Sequence, residues 1–305
     1  MTAGLSTGVA AAEANARQRC VLVFSGADPS GGAGMAADIL AIHAQGAHAL
    51  PVITALTVQD NDRVYEVLPV APEVVLRQAR ALAAKGTIDA VKIGIPGSAA
   101  NARAIAQLIQ ELRALPGASS ASLPVVLDPV LASGHGDLLS RDDAVQALAV
   151  LLPLATLVTP NEPEAAALAR AGRAGEDRGG EDCGEDCGEE ADRSTDIRRA
   201  AQSLLAQGCR NVLITGGHGS GDTVINRWFS DAAGQGAGFG QGHGWSWARL
   251  PGEFHGSGCT LAAAIAGLLA HGYPMQQALA RAQGYTHRAL AGAFAIAPGQ
   301  RIPQR

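Results

Sequence analysis

The segment HGSGCT, at residues 255–260, combines two glycines, a serine and a cysteine at the start of an apolar helix. Successive backbone N–H groups from Gly256 to Cys259 would point into one concavity, with the positive end of the helix dipole behind them. Such a setting binds anions and lowers the pKa of a thiol. We therefore expect Gly256, Ser257 and Gly258 to form an anion-binding nest and Cys259 to act as nucleophile or base. A small buried cysteine at a helix start is the alternative.

Two carboxylates and an amide follow other apolar runs. Asp128 ends the run PVVLD, and the segment TPNEPE places Asn161 and Glu164 three residues apart at a helix start, so that both face the same side. Oxygen ligands of this kind suit Mg²⁺ that is held largely through water, with phosphates completing its shell. The same pair also fits a capping box that closes the helix N-terminus, and the sequence leaves both readings open.

Glycine-rich turns follow the first and a later strand. The turn GADPSGGAG, at residues 26–34, matches a dinucleotide fingerprint only in part and lacks the lysine of a P-loop. Its Asp28 could accept hydrogen bonds from a small substrate, and the segment TGGHGSGD, which starts at Thr215, could hold phosphates. Gln59 can offer a donor and an acceptor to a heterocycle. Lys92, inside an apolar strand, requires a charged partner, so an ion pair is favoured over catalysis.

The elements that must position these residues alternate between strand and helix patterns. Strands are predicted at 20–26, 48–60, 63–70, 88–95, 123–128, 156–159, 211–217, 223–230 and 245–252. Helices are predicted within 29–46 and at 72–85, 98–114, 140–151, 162–171, 195–207, 257–271 and 274–293. This alternation predicts an α/β fold with a doubly wound, mostly parallel sheet and helices on both faces. Ligands of such sheets bind outside the carboxyl ends of the strands, where the polar turns meet.

The composition limits the classes of protein to which this chain can belong. A chain of 305 residues, 47% of them hydrophobic, can bury a large core. The net charge of −5 and the lack of a Lys/Arg cluster argue against a nucleic-acid partner. Without a 20-residue apolar run or a signal peptide, we expect no membrane association and a cytoplasmic location.

The chain divides into a central domain and less ordered segments. We expect a flexible tail over residues 1–18, the domain over 19–293 and a C-terminal tail over 294–305. An acidic low-complexity insertion is predicted at 172–194, and it contains Cys183 and Cys187. Without a second cysteine pair, this insertion is better explained as a solvated loop than as a metal site.

Seven segments together resemble the hydroxymethylpyrimidine/phosphomethylpyrimidine kinases of thiamin biosynthesis, a branch of the ribokinase superfamily. They are SGADPSGGAGMAADI, GAHALPVITALTVQD, VKIGIPG, VLDPVLASGHGDLL, LVTPNEPEAAAL, LITGGH and HGSGCTLAAAIAG, in the order and spacing of that family. The resemblance extends from about residue 21 to residue 291. It implies a ribokinase-like fold, and phosphorylation by ATP and Mg²⁺ of 4-amino-5-hydroxymethyl-2-methylpyrimidine and then of its monophosphate. It also implies a homodimer.

The resemblance assigns roles by position. The catalytic residues that it implies are Cys259 with Gly256, Ser257 and Gly258. The substrate-binding residues that it implies are Gly26, Asp28 and Gln59. The residues implied for ATP and its phosphates are Asn161, Glu164, Thr215 and Gly217, and those for the metal are Asp128 and Glu164.

Three other functions compete with this interpretation. A pyridoxine or pyridoxal kinase of the same superfamily would use a similar site. A pyrimidine-binding homologue with weakened turnover is supported by Thr215, which stands where the family usually has lysine. A cysteine hydrolase would use Cys259 with His255, but it would leave Asp128 and the Asn161–Glu164 pair unexplained.

Overall fold

Strands and helices alternate along most of the chain. The structure is a computed structural model and describes residues 17–114, 123–132, 144–172, 189–231 and 243–305. The strands are β1 Cys20–Ala27, β2 His48–Gln59, β3 Val64–Pro69, β4 Ala90–Ile93, β5 Val125–Leu127, β6 Leu157–Val158, β7 Asn211–Ile214, β8 Thr223–Ser230 and β9 His243–Ala248. The helices are α1 Gly34–Ala44, α2 Pro72–Ala83, α3 Ala99–Arg113, α4 Ala144–Ala149, α5 Glu162–Gly172, α6 Glu189–Ala206, α7 Ser257–Ala270 and α8 Met275–Ala291, with a 3₁₀ turn at Leu152–Leu154.

The strands within the described residues form one sheet in the order β3-β2-β1-β4-β5-β6-β7-β8-β9. The six strands from β2 to β7 in this order pair in parallel. Antiparallel hairpins close both edges, β3 on β2 and the pair β8 and β9 on β7. The predicted, mostly parallel sheet is confirmed, and all parallel strands end at the same edge of the sheet.

The sheet buries a core on each of its faces. Successive side chains of a strand point to opposite faces, so Leu22 and Phe24 of β1 join one core while Val21 and Val23 join the other. The first core is covered by α2 to α6, and the second by α1, α7 and α8. Burial on both faces explains why the parallel strands are continuous apolar runs rather than alternating ones.

Helix α7 lies inside the second core. All its residues from Thr260 to Ala270 are buried, as expected for a helix that is apolar on every side. Small residues let its neighbours approach closely: a Cβ on Gly267 would lie 3.1 Å from the Cβ of Gln45, just after α1. This packing fixes the direction of α7 and brings its N-terminus to the carboxyl edge of the sheet.

The C-terminal segment differs from the expected tail. Residues 294–305 pack against the domain, because Arg301 pairs with Phe254. Within the segment, Phe294 pairs with Ile302. Ile302 is buried. The segment predicted as a C-terminal tail therefore contributes a buried side chain, because Ile302 is covered only through contacts made in the tertiary structure.

Two other predicted segments extend beyond the residues that the structure describes. Residues 189–194, which were placed in the acidic insertion, belong to α6. The rest of that insertion, with Cys183 and Cys187, and residues 1–16 of the predicted N-terminal tail lie outside the described residues. Among the described residues, no helix has both the length and the apolar character that a membrane crossing requires.

Candidate active site

The carboxyl ends of the parallel strands border one cavity of about 570 Å³. Asp128 comes directly after β5, Asn161 follows β6, and Thr215 follows β7, while the first residues of α7 cover the same edge. Every residue that the sequence assigned to catalysis, substrate, phosphate or metal lines this cavity. The structure therefore brings all of these residues together, and their individual roles stay predictions.

The N-terminus of α7 forms the floor of the cavity at residues 256–259. Gly256 has a φ of 78°, a conformation that favours glycine. The N–H of Thr260 makes the first helical bond, 3.0 Å to the oxygen of Gly256, so the N–H groups of residues 257–259 precede it. These are the N–H groups of the predicted nest, and their role in binding an anion stays a prediction.

The thiol of Cys259 differs from the prediction. Burial raises its pKa to about 12, the carboxylates of Asp128 and Asp38 act in the same direction, and Lys92 and the N–H of Gly34 only partly oppose them. The predicted lowering of this pKa was wrong because burial of the thiol outweighs the groups that favour the thiolate, and the carboxylates of Asp128 and Asp38 add to the rise. The Asp128 carboxylate is close enough to this thiol for each group to shift the pKa of the other.

A buried ion cluster lies beneath this cysteine. Lys92 is fully buried, and its Nζ lies 2.9 Å from Asp38 Oδ1 and 3.8 Å from Asp128 Oδ2. Ser25 Oγ donates to Asp38 at 2.8 Å. Burial alone would lower the pKa of Lys92, but the neighbouring carboxylates raise it above its ordinary value. The expected ion pair of Lys92 is confirmed, and the amine remains charged.

Asp38 was missed at the level of sequence. It lies in α1 and is fully buried. The available signal was a carboxylate within the apolar stretch AADILAI, which can be buried only with a cation. Burial raises the pKa of both Asp38 and Asp128, with Lys92 opposing it.

Asp28 holds its own loop together. Its Oδ1 accepts the N–H of Ser30 at 2.8 Å, and its Oδ2 accepts the N–H of Ala33 at 2.6 Å and lies 2.9 Å from His255 Nε2. Burial would raise the pKa of Asp28, but the bonds from His255, Ser30 and Ala33 lower it to about 2. Because both oxygens are engaged, the geometry favours loop positioning over the predicted direct substrate contact.

Asn161 and Glu164 form the capping box that the sequence offered as an alternative. Asn161 Oδ1 accepts the N–H of Glu164 at 2.8 Å, and Glu164 Oε2 accepts the N–H of Asn161 at 2.9 Å. Burial raises the pKa of Glu164 to about 8, and the nearby charge of Asp128 adds to the rise.

The two carboxylates of Asp128 and Glu164 fit a divalent cation. Asp128 Oδ2 is buried and accepts no hydrogen bond within the described residues. No group of three or more metal-binding side chains occurs in the part of the chain that the structure describes. This donor set suits Mg²⁺, which keeps several waters and uses only one or two carboxylates.

The far end of the cavity is aromatic. Trp247 stacks on His287 with ring centroids 5.2 Å apart, and its Nε1 donates to Gln283 Oε1 at 3.1 Å. Arg249 holds the neighbouring glycine loop by donating to the oxygens of Gly217 and Gly221 at 2.7 and 2.6 Å. Sequence reasoning missed this group because the hairpin β8–β9 carries no motif that separates cavity-facing residues from solvent-facing ones.

Comparisons with known proteins agree with the motifs. Residues 28–303 match the family model of phosphomethylpyrimidine kinase. The chain is 34% identical over 286 residues to the hydroxymethylpyrimidine/phosphomethylpyrimidine kinase of Rhizobium meliloti strain 1021, covering 92% of this chain and 93% of that protein.

Solved structures agree as well. The phosphomethylpyrimidine kinase from Clostridium difficile 630 has a TM-score of 0.66 at 26% identity, covering 88% of this chain and 98% of that one. The pyridoxal kinase from Staphylococcus aureus in complex with AMP-PCP has a TM-score of 0.75 at 23% identity, covering 95% and 94%, and shares the fold. The predicted ribokinase-like fold is confirmed. With a family match that spans nearly the whole domain, this chain belongs to the phosphomethylpyrimidine kinase family.

Proposed function

We propose that this protein is a kinase that transfers the γ-phosphoryl group of ATP to 4-amino-5-hydroxymethyl-2-methylpyrimidine and to its monophosphate. One observation carries this proposal: a single cavity contains an amide side chain for a heterocycle, an anion-binding nest and an aromatic slot. Family membership supports the pyrimidine as the substrate. The AMP-PCP complex of a kinase with the same fold supports ATP as the donor.

The strand order orients the two substrates. Gln59 ends β2, Asp128 follows β5 and Thr215 follows β7. In the sheet, β2 and β7 lie five strand spacings apart with β5 between them, a distance of about 24 Å at about 4.8 Å per spacing. The pyrimidine therefore binds at the β2 end and the nucleotide at the β7 end, so that the reacting groups meet near Asp128.

Proton transfer falls to Cys259 and Asp128 together. The substrate hydroxyl attacks the γ-phosphorus, the bond from that phosphorus to the β–γ bridging oxygen breaks, and ADP leaves. The hydroxyl proton passes to the Cys259 sulfur while the thiol proton passes to the nearby Asp128 carboxylate. The N–H groups of residues 257–259 stabilise the negative charge on the transferred group.

When bound with the nucleotide, Mg²⁺ would supply positive charge that neutralises the phosphates during transfer. Glu164 and Asp128 Oδ2, which accepts no hydrogen bond but lies 3.8 Å from Lys92 Nζ, would hold it through bound water. The homodimer and the cytoplasmic location expected from the sequence stay predictions, and sedimentation of the purified chain tests the first.

ADP release tests the function directly. Hydroxymethylpyrimidine, its monophosphate, pyridoxine and pyridoxal are offered in parallel with ATP and Mg²⁺. We expect the highest kcat/KM with the pyrimidines. A higher value with pyridoxine or pyridoxal would establish the alternative kinase, and tight pyrimidine binding without ADP release would establish a non-catalytic homologue. Turnover without ATP would instead indicate a hydrolase.

Replacing Gln59 with leucine should raise KM for the pyrimidine about 10- to 100-fold with little change in KM for ATP. The amide at the end of β2 is half-buried in the cavity wall, and its loss would leave polar atoms of the heterocycle unpaired. Initial-rate kinetics with each substrate varied in turn measure the effect. Gln107→Leu, on the exposed side of α3, is the control. An equal loss for both substrates would contradict the assignment.

Replacing Trp247 with alanine should raise KM for ATP about 5- to 150-fold, because base stacking on an aromatic ring contributes about 1–3 kcal/mol. Calorimetric titration with ADP gives an independent affinity for the wild type and the variant. Trp245→Ala is a matched control, since Trp245 lies two residues earlier on β9 and outside the cavity lining. Unchanged ATP affinity in Trp247→Ala would place the adenine elsewhere.

A further inference from the structure

Arg305 connects two loops of the cavity from behind. Its Nε donates to Thr260 Oγ1 at 2.8 Å, and one terminal nitrogen donates to the backbone oxygens of Gly32 and Gly256. Gly32 belongs to the loop after β1, and Gly256 is the N-cap of α7. One guanidinium group thus bonds to both sides of the junction at which the nest begins.

The two loops touch with little space between them. A Cβ on Gly256 would lie 2.0 Å from the oxygen of Gly32, and a Cβ on Gly32 would lie 2.2 Å from the His255 ring. The His255–Asp28 contact joins the same two loops on the cavity side. Arg305 is absent from the cavity lining, so its bonds act on the backbone behind the nest.

Arg305 also brings a positive charge close to the site. Burial lowers the pKa of its guanidinium, while Cys259, Tyr285, Asp38 and Asp28 are near enough to raise it. Guanidinium remains protonated in proteins, so the junction contains a fixed cation. A neutral donor could replace one hydrogen bond but not this charge.

We propose that Arg305 is a positioning residue for phosphoryl transfer, which fixes the left-handed turn at Gly256 and thereby aims the N–H groups of residues 257–259. The proposal rests on the proposed kinase function. A misplacement of about 1 Å at reacting groups can lower a rate about 100-fold. Loss of Arg305 should therefore act on kcat, while the binding surfaces around Gln59 and Trp247 stay intact.

The central test is Arg305→Ala. We expect kcat to fall about 10- to 100-fold, with KM for both substrates within about threefold of the wild type. Guanidinium ion added at millimolar concentration should restore part of kcat. Arg305→Lys, which keeps the charge but cannot make the same forked contacts, should lose about three- to tenfold.

Arg113→Ala is a matched control. Arg113 is also partly buried, and it also donates to two backbone oxygens, those of Leu123 and Leu154, at 3.2 and 2.9 Å. These residues lie near the amino ends of β5 and β6, away from the cavity. This variant should lose a similar amount of stability, retain kcat within about twofold and show no rescue by guanidinium.

Hydrogen–deuterium exchange supplies a readout that does not depend on turnover. Amides of residues 28–33 and 256–260 should exchange faster in Arg305→Ala than in the wild type, and those of α3 should not. If the wild type phosphorylates none of the substrates, the proposed function fails. The exchange measurement would still show whether Arg305 holds the two loops in place. Unchanged exchange, or a kcat within twofold of the wild type, would overturn the role of Arg305. If the alanine variant does not fold, wild-type kcat in Arg305→Lys would overturn it equally.

Discussion

Replacing Cys259 with alanine is expected to lower kcat by about 10²- to 10⁴-fold, the usual contribution of a positioned proton-transfer group. The thiol lies at the nest and close to Asp128, so its removal breaks the proposed path from the substrate hydroxyl to that carboxylate. The fold should persist, because Cys259 is only partly buried at the cavity surface. Steady-state ADP release and circular dichroism measure the two effects.

Cys259→Ser separates two mechanisms. A hydroxyl can accept and donate a proton, so a relay to Asp128 should leave the serine variant well above the alanine variant. A free thiolate base would make both variants equally poor. Cys209→Ala is the control, since burial also raises the pKa of Cys209 to about 12 but its thiol lies in the hydrophobic core, where it donates to the oxygen of Leu204, and is absent from the cavity lining. Near-normal turnover in Cys259→Ala would refute any catalytic role.

Replacing Lys92 with methionine is expected to lower the free energy of unfolding by about 3–5 kcal/mol, because it leaves Asp38 and Asp128 as buried carboxylates without their cation. Burial already raises the pKa of both carboxyl groups. When the pKa of a carboxyl group is higher in the folded state than in the unfolded state, the group stabilises the folded state at a pH below its unfolded pKa. This stabilisation is lost as the pH rises through the folded pKa. The deficit of the variant should therefore shrink as the pH falls from 8 to 5.

Urea unfolding at these pH values measures the Lys92→Met deficit. Lys85→Met, which removes an exposed lysine, should change stability by less than about 0.5 kcal/mol. The double variant Lys92→Met/Asp38→Asn should recover part of the loss, because it removes one of the uncompensated charges. A deficit in Lys92→Met below about 1 kcal/mol, or one that grows as the pH falls, would contradict the ion cluster.

The fold was predictable because its signals are local and repeated. The apolar run at residues 20–26 and the Asn-Asp turn before Arg63 gave β1 and the β2–β3 hairpin, and both occur in the structure. The C-terminal segment was not predictable in this way. Its contacts join Arg301 to Phe254 and Ile302 to Phe294, and no periodic pattern within a short polar stretch indicates such pairings.

The positions of the site residues were predictable from the sequence, but the pKa values of their side chains were not. The rule that ligands bind at strand carboxyl ends correctly placed Asp128 and Thr215 in the lining of the same cavity as Cys259. The pKa of Cys259 was predicted in the wrong direction because the helix dipole is a local feature, whereas burial of the thiol and the charges of Asp128 and Asp38 depend on the tertiary structure. Arg305 gave no sequence signal, since an arginine in a polar segment is ordinarily exposed.

The contact between Asp28 and His255 joins residues 227 positions apart in the chain. Closing so long a loop is entropically unfavourable and slow compared with forming the local β2–β3 hairpin. The first parallel strand and the last helices must both be in place before the nest is complete. Kinase activity should thus appear late during refolding, after most of the secondary structure has formed.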